Sequence, residues 1–342
     1  MGINAVAPDG SLYSIADYGI RRIAANLPGF SLGDFRIPSE DGSEVYQFDS
    51  AGRHLKTLNA LTGSLIYQFA YDAAGRLSSV TDTFDNLTRI ERDNMVKPTA
   101  IIAPFGQRTT LALDANGHLS TATNPAGESY RMTYTAEGLL TALTDPRGNT
   151  STMSYDGARR LLIDTNAAGG SQSLEKSALA DGHEVRRTTI LGRSITHRVE
   201  NLGTGDQRRT GIGSDGIQTV TVTVNGTNSI STTTLADGTV RTLTQSGDPR
   251  FQMLAPIPAS QTLSTGGKTS TVTMARSVTL ADPANPLNLS RLNDTVTINN
   301  RTSTRDYDAA TKTATTISPA GHRSTETLDN FGRIVQAQVP GL

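Results

Sequence analysis

The chain contains 342 residues, of which 36% are hydrophobic and 5% aromatic, and its 31 basic and 32 acidic side chains give a net charge of −1. This near-neutral balance excludes a global attraction to nucleic acid or to an anionic membrane. The absence of cysteine excludes a disulfide framework, a thiolate zinc site and thiol catalysis. The apolar content is low for a compact core, but it suits a sheet that is wetted on one or both faces.

Residues 1–33 form the first predicted segment. Pro8-Asp9-Gly10-Ser11-Leu12-Tyr13, followed by Arg21-Arg22-Ile23, is similar to part of an NHL-type propeller blade, although the Asn-His expected before Arg21 is missing. One blade cannot bury its faces alone, so we interpret the segment as partial-blade-like, followed by a linker. Gly29-Phe30-Ser31-Leu32-Gly33 fits a nucleophile elbow, but no helical periodicity follows it, which favours the linker.

Residues 34–175 repeat one short unit. The first turn of the unit recurs at Asp72, Asp93, Asp114, Thr135 and Asp156, and the second at Asp85, Gly106, Gly127, Gly148 and Gly169. A fixed period of about 21 residues indicates one small structural unit that is copied many times. Two tight turns and two strands of about six residues account for the period, and this is the commonest strand length.

The predicted turns have explicit chemistry. In Asp145-Pro146-Arg147-Gly148, the aspartate accepts a backbone N–H, the proline presets φ, and the glycine tolerates a left-handed conformation. We predict that the repeat turns contain Tyr71, Asp72, Gly75, Arg76, Asp114, Gly117, Gly127, Asp145, Pro146, Gly148, Tyr155, Asp156, Tyr307, Asp308, Gly321, Asp329, Gly332 and Arg333.

Three copies depart from this pattern. Thr135 replaces the aspartate of one turn, Arg159 replaces the glycine of another, and the turn from Asp93 to Val96 lacks both the glycine and the Arg-Leu that follows it elsewhere. We expect altered turns at these three places.

Residues 176–300 keep the β character but lose the strict period. Alternating residues on both sides of Asn225-Gly226 predict a hairpin with a two-residue turn. The best candidate for a short helix is 174–179. The Gly-x-Gly-x-x-Gly pattern at 211–216 is interpreted as a loop, because a phosphate site needs a helix after it and a strand pattern follows. Residues 301–342 return to the repeat.

Tyr71-Asp72-Ala73-Ala74-Gly75-Arg76-Leu77, which recurs with this period and alternates with Asp-Pro-x-Gly, resembles the YD repeat of Rhs proteins, toxin-complex proteins and teneurins. The resemblance implies an all-β fold in which antiparallel hairpins spiral into a hollow shell. We expect this chain to form a partial, open shell with at least one unpaired edge. A teneurin proper should carry cysteine and tryptophan, and both counts are zero, which favours a bacterial relative.

The resemblance also implies the function. We expect a non-enzymatic scaffold that encapsulates or displays a C-terminal polypeptide, for which a toxin is the expected cargo, at the cell surface or in secreted form. Its partners would be the rest of its own polypeptide, meaning further repeats and the cargo, or a cell-surface protein or glycan. The alternative is an adhesive recognition module, with an exposed aromatic patch that could include the repeat tyrosines.

No catalytic, cofactor-binding or metal-binding residue is predicted. The recurring aspartates are interpreted as caps of their own turns, and the five histidines are not paired at ligand-like spacing.

Overall fold

The computed structural model describes residues 4–6, 12–16, 19–23, 34–224 and 229–340. All regular structure in these ranges is β and none is helical, which confirms the all-β prediction. None of the described segments is therefore an apolar helix long enough to cross a membrane. The rest of residues 1–33, including the elbow-like linker at 29–33, lies outside the described residues.

Two sheets are present in the described ranges. A small antiparallel sheet contains β1 (Asn4–Val6), β2 (Leu12–Ala16) and β3 (Gly19–Ile23). The large sheet contains β4 (Asp34–Pro38), β5 (Glu44–Asp49), β6 (His54–Asn59), β7 (Leu65–Tyr71), β8 (Leu77–Asp82), β9 (Leu87–Arg92), β10 (Pro98–Ile102), β11 (Arg108–Leu113), β12 (Leu119–Thr123), β13 (Ser129–Tyr134), β14 (Leu140–Thr144), β15 (Thr150–Tyr155), β16 (Leu161–Thr165), β17 (Ser171–Leu179), β18 (Gly182–Thr189), β19 (Ser194–Asn201), β20 (Gln207–Ile212), β21 (Gln218–Val224), β22 (Ser229–Thr234), β23 (Val240–Asp248), β24 (Gln252–Thr265), β25 (Lys268–Leu280), β26 (Leu289–Ile298), β27 (Arg301–Asp308), β28 (Thr313–Ile317), β29 (Arg323–Leu328) and β30 (Ile334–Gln338).

Each strand of the large sheet pairs antiparallel with the next strand in the chain, so that β4 to β30 form one continuous meander. The strands follow one another around a ring. Within residues 34–224 and 229–340, however, no ladder of backbone hydrogen bonds joins β30 to β4. The sheet is therefore open, as expected. It runs through residues 175 and 300 without a break.

Two local expectations from the sequence were wrong. The candidate helix at 174–179 is part of β17, which pairs with β18 through eight consecutive residues, because the ladder outweighs a weak local preference for helix. The hairpin of β21 and β22 exists, but its register pairs Val224 with Ile230, so its connection is longer than two residues. Residues 225–228 of that connection lie outside the described residues.

Most of the sheet has no packed layer on either face. In β15 the side chains of Ser151, Met153 and Tyr155 are half-buried, while those of the alternate residues are exposed. On the polar side, hydroxyl groups pair across strands, as in the 2.8 Å contact between Thr144 Oγ1 and Thr150 Oγ1, which stabilises antiparallel pairs. The accessible surface is 21119 Å², against roughly 13,000 Å² for a compact protein of this mass. The large sheet is thus an extended wall and not a sandwich.

Densely packed residues are concentrated in two clusters. One contains Val45, Leu58, Ala60, Phe251 and Ala255. The other contains Leu289, Leu292, Tyr307, Ala314 and Leu328, with Leu61 packed against it. Both clusters combine residues from the first few strands of the large sheet with residues from its last eight strands. The core therefore lies where the ribbon of strands meets itself.

Candidate functional site

The repeat turn at Asp72 shows how one unit is built. Gly75 N donates to Asp72 O at 2.9 Å, and Asp72 N donates to Arg76 O at 2.9 Å. Asp72 Oδ1 accepts the N–H groups of Ala74 and Arg76, each at 3.0 Å, and Arg76 Nε donates to Asp72 Oδ2 at 2.8 Å. Gly75 has a φ of 77°, the left-handed conformation that a glycine adopts freely. The hydrogen bonds from Arg76 hold the pKa of the Asp72 carboxyl below its usual value.

The other predicted turn residues have equivalent positions. In four further turns Oδ1 accepts two backbone N–H groups, and these acceptors are Asp114, Asp145, Asp156 and Asp329. Positive φ values of 79–87° occur at Gly117, Gly127, Gly148, Gly321 and Gly332. Arg333 Nε donates to Asp329 Oδ2 at 2.7 Å, as Arg76 does in its own turn. Pro146 is the second residue of the Asp145 turn. This turn is closed by a hydrogen bond from Gly148 N to Asp145 O at 3.0 Å.

The turn at Asp308 differs from the others. Its Oδ1 accepts the N–H groups of Ala310 and Thr311, and the positive φ falls on Lys312, at 53°. The preceding Tyr307 is only 1% exposed, and burial raises its pKa. This copy of the motif therefore forms part of the core as well as a turn.

The three irregular copies keep the regular backbone, so the expectation of altered turns was wrong. Arg159 and Val96 take the glycine conformation with φ values of 63° and 67°, and each donates the usual hydrogen bond to the first residue of its turn at 2.9 Å. The Thr135 turn also closes, with Gly138 N donating to Thr135 O at 3.1 Å. The paired strands on either side impose the turn, and Val96 is strained because it is a β-branched residue with positive φ.

The repeat tyrosines fasten neighbouring strands. Tyr155 Oη donates to Leu140 O at 2.7 Å, and Tyr71 Oη donates to His54 O at 2.9 Å. Each acceptor lies at the start of the preceding strand. The rings of Tyr71 and Tyr155 are half-buried, and their hydroxyl groups tie together the two strands of one repeat unit.

The turns lie along two rims of the ribbon, because the connections of an antiparallel meander alternate between its two edges. We call the edge with the turns that follow odd-numbered strands the odd rim, and the other edge the even rim. The turn at 329–333 is on the odd rim, and the turns at 39–43, 59–64 and 82–86 are on the even rim. In the structure, the even rim of the first hairpins lies against the odd rim of the last ones, and we call this contact the seam.

A buried ionic cluster lies in the seam. Arg250, on the odd rim, is 4% exposed, and its Nη1 donates to Ala60 O on the even rim at 2.5 Å. Its Nε lies 3.5 Å from Asp248 Oδ1, and its guanidinium lies 4.6 Å from the centre of the Phe251 ring. Burial lowers the pKa of Arg250.

Two further side chains complete the charge balance of this cluster. Arg276 Nη1 donates to Asp248 Oδ2 at 3.0 Å. The same guanidinium binds both carboxylate oxygens of Asp294, at 2.7 and 2.9 Å. The hydrogen bonds to Asp294 and Asp248 raise the pKa of Arg276. Two arginines and two aspartates are thus paired with each other. Arg250 Nε is close to Asp248 Oδ1 but makes no hydrogen bond.

Contacts outside the cluster extend the seam along both rims. Arg36 Nη1 donates to Asn285 Oδ1 at 2.9 Å. A side chain on Gly63 would lie 3.4 Å from Leu287 O, so the two rims approach closely there.

The last described odd-rim turn touches two even-rim turns at once. Asn59 Nδ2 donates to Phe331 O at 3.4 Å. The rings of Phe84 and Phe331 lie 5.5 Å apart, and Arg333 lies 5.3 Å above the ring of Phe84. We call these four residues the rim clasp.

The seam was not predicted from the sequence, because its partners lie 190 to 272 residues apart in the chain. Pro249, the neighbour of Arg250, is typical of a loop or an edge, but it does not indicate which distant turn lies against it. Among the described residues, no group of three or more His, Asp or Glu side chains could hold a metal ion. The Gly-x-Gly-x-x-Gly pattern lies at the end of β20 and in the turn to β21, so it has no helix to form a phosphate site.

The aromatic side chains near the start of the large sheet form a column across four strands. The rings of Phe35 and Phe48 stack at 5.2 Å, those of Phe48 and His54 at 5.0 Å, and those of His54 and Phe69 at 4.2 Å. Each ring of the column therefore stacks on a ring from a neighbouring strand. The column stabilises strand pairing.

Comparisons with known proteins find teneurins among the curated relatives of this chain. Teneurin-3 of Danio rerio is 39% identical over 122 residues, which are 34% of this chain and 4% of that protein. Teneurin-1 of Homo sapiens is 38% identical over 119 residues, again 34% of this chain and 4% of that protein. The chain therefore spans a small fraction of the length of these curated relatives.

Among solved structures, the crystal structure of TcdB2-TccC3-Cdc42 aligns with 99% of this chain and 25% of that chain, with 12% identity and a TM-score of 0.37. The family model described as Teneurin YD-shell matches residues 33–339. This range contains every strand of the large sheet, and the chain therefore belongs to the Teneurin YD-shell family.

Proposed function

We propose that this chain is a non-enzymatic wall segment of a shell that encloses or displays another part of its own polypeptide. The observation that carries the proposal is the seam, where one continuous ribbon of strands bends round and packs against its own start. A wall that meets itself in this way separates an inside from an outside.

The spacing of the seam contacts supports an enclosed space. The turn after β6 meets the turn after β25, and the turn after β8 meets the turn after β29. One revolution therefore takes about 20 strands, which at about 4.8 Å per strand gives roughly 95 Å of sheet and a ring about 30 Å across. Sheets that close with about 16 or more strands surround a channel and not a packed core.

The charged cluster does not support an enzyme. A catalytic site needs titratable groups that can reach a substrate. The side chains of Asp248 and Arg250 are 1% and 3% exposed, and those of Arg276 and Asp294 are 17% and 15% exposed. These four groups bind each other and the Ala60 carbonyl, so the arrangement supports a structural role.

The shell role extends to the expected setting of the protein. We propose a location at the cell surface or outside the cell, in keeping with the family, and a C-terminal cargo, for which a toxin is one candidate. A bacterial origin also remains a proposal, since the relatives described above are animal proteins. The adhesive alternative has less support, because Tyr71 and Tyr155 are half-buried and their hydroxyl groups bind neighbouring strands.

Protection from proteolysis tests the proposal. In a polypeptide that carries this chain together with its cargo segment, limited proteolysis should leave the cargo intact. Arg250→Met, which removes the seam contact with Ala60, should make the cargo cleavable. Arg208→Met is the matched control, because its pair with Glu200 lies away from the seam at 4.0 Å and is half exposed. Rapid digestion of the cargo in the unmodified protein would contradict the shell role.

A further inference from the structure

The face of the large sheet that carries Tyr155 changes its chemistry where the regular repeats end, and we call it the tyrosine face. Directly paired residues share a face of a sheet, and so do alternate residues of one strand. The pairs Met153–Asp164 and Asp164–Gln172 extend the tyrosine face to β17, and Gln172 Nε2 donates to Asp164 Oδ2 at 3.0 Å. From β17 to β20 this face carries five basic side chains, which are Lys176, His183, Arg187, His197 and Arg209.

Four of these basic residues surround Val185. Val185 pairs directly with Lys176 of β17 and with His197 of β19. His183 and Arg187 lie two residues away on β18 itself, so they are its neighbours on the same face. The spacing from Val185 is therefore about 5 Å across the strands and about 7 Å along its own strand. We define a basic patch that comprises Lys176, His183, Val185, Arg187, His197 and Arg209.

The two faces of β17 to β20 differ in how their charges are paired. All three glutamates of these strands lie on the opposite face, each directly across from an arginine of the next strand: Glu175 from Arg186, Glu184 from Arg198 and Glu200 from Arg208. On the tyrosine face these strands carry no acidic residue. Among residues 34–224 and 229–340, no ion pair involves Lys176, Arg187 or Arg209, and Arg209 Nε donates to the neutral amide of Gln207.

The basic patch is accessible to a partner. Four of its five basic side chains are exposed, and that of His183 is half-buried. Gly211 pairs with His197, and no heavy atom lies within 4 Å of the position that a Cβ on Gly211 would take. The lysine and the two arginines of the patch are charged at neutral pH, and its two imidazoles gain charge in mild acid. Because these like charges repel each other, a bound anionic partner would relieve the repulsion.

We propose that the basic patch binds an extended, acidic segment of polypeptide. Alternate side chains of an extended segment lie on one side, about 7 Å apart. A Glu-x-Val-x-Glu sequence would therefore place its two carboxylates over His183 and Arg187 and its valine over Val185. The apolar centre of the patch favours a polypeptide over a sulfated glycan, because a glycan has no apolar side chain for Val185. The inference goes beyond the shell role, since it concerns the charge of a bound segment and does not require the wall to close.

The test measures how tightly the full chain binds a fluorescent peptide, by fluorescence anisotropy at low ionic strength. The probe is the peptide Glu-Ser-Val-Ser-Glu-Ser-Val-Ser-Glu, and a matched peptide has glutamine in place of every glutamate. Arg187→Gln and Lys176→Gln each remove one charge from the basic patch. Arg186→Gln is the matched control, because Arg186 is the adjacent residue and is also exposed, but it lies on the opposite face.

We expect the acidic peptide to bind more tightly than the neutral one. Arg187→Gln and Lys176→Gln should each weaken binding by about threefold to fivefold, as expected for the loss of one exposed ion pair, and Arg186→Gln should leave it unchanged. Val185→Glu places a carboxylate among four basic residues, so it should abolish binding of the acidic peptide without lowering the midpoint of thermal unfolding.

Three results would each overturn the proposal. The first is equal binding of the acidic and neutral peptides, and the second is an equal loss of affinity for Arg186→Gln and Arg187→Gln. The third is tighter binding of a sulfated glycan fragment with the same number of charges, which would assign the patch to a glycan. None of these results bears on the protection of the cargo in the proteolysis test, so the shell role and the basic patch can fail separately.

Discussion

Arg250 gives the sharpest test of whether the seam holds the wall together. Arg250→Met keeps most of the side-chain volume but removes the hydrogen bond to Ala60 O, the ion pair with Asp248 and the contact with the Phe251 ring. Removing one partner of a buried ion pair costs about 3–5 kcal/mol. Asp248 keeps its bond to Arg276, so we expect the lower end of this range, about 3 kcal/mol.

The assay is urea unfolding of the whole chain, combined with X-ray scattering under native conditions. Arg250→Met should lower the unfolding midpoint and increase the radius of gyration, because the first and last hairpins separate. Arg208→Met serves as control, since exposed ion pairs contribute about 1 kcal/mol or less, and it should leave the radius unchanged. Equal effects of the two substitutions on stability, with no change in radius, would refute the view that the seam closes the wall.

Three further predictions concern the repeat unit. Val96→Gly should stabilise the protein by about 1 kcal/mol in thermal unfolding, because it relieves a positive φ at a β-branched residue. The control is Gly157→Ala, at a turn position without positive φ and with open space around it, which should not destabilise the protein. Tyr155→Phe should cost about 1 kcal/mol by removing its 2.7 Å hydrogen bond, whereas Tyr130→Phe, at a 49% exposed ring, should be neutral, and equal costs would contradict the strand-fastening role. Hydrogen bonds from nearby serines lower the pKa of Asp41 from 3.8 to about 2. The carboxylate of Asp41 therefore contributes to the stability of the folded state above about pH 4, and this contribution is lost as the pH falls toward 2. Unfolding midpoints between pH 2 and 7 should therefore fall less steeply for Asp41→Asn, and parallel curves would refute this.

The repeat turns could be predicted because their chemistry is local. An aspartate, a glycine three residues later and an arginine after that bind one another within a single turn, as at Asp72, Gly75 and Arg76, so their spacing in the sequence is also their spacing in space. The all-β shell and its open edge were expected from the resemblance to the YD repeat, which rests on these same turn residues.

The irregular turns and the seam could not be predicted for opposite reasons. At Val96 the sequence lacks the glycine, but the ladders of β9 and β10 on either side fix the turn, so neighbouring structure overrides the local signal. At Arg250 the sequence shows only a charged loop, because its partner Ala60 comes from the other end of the chain. A single sequence carries no record of which distant turns become neighbours after one revolution.

The turn at 329–333 contacts both Asn59 and Phe84. The contacts across the seam are therefore staggered, because this turn lies between two turns of the opposite rim. A force that separates one pair of contacting turns is shared with the adjacent pair, so the two rims resist separation along the seam. Gain or loss of one whole repeat would leave the register of every strand pair unchanged. It would, however, place each turn at the seam against a different turn of the opposite rim. The circumference of such a wall can therefore change only in steps of one hairpin, and each step requires compatible side chains at the joint.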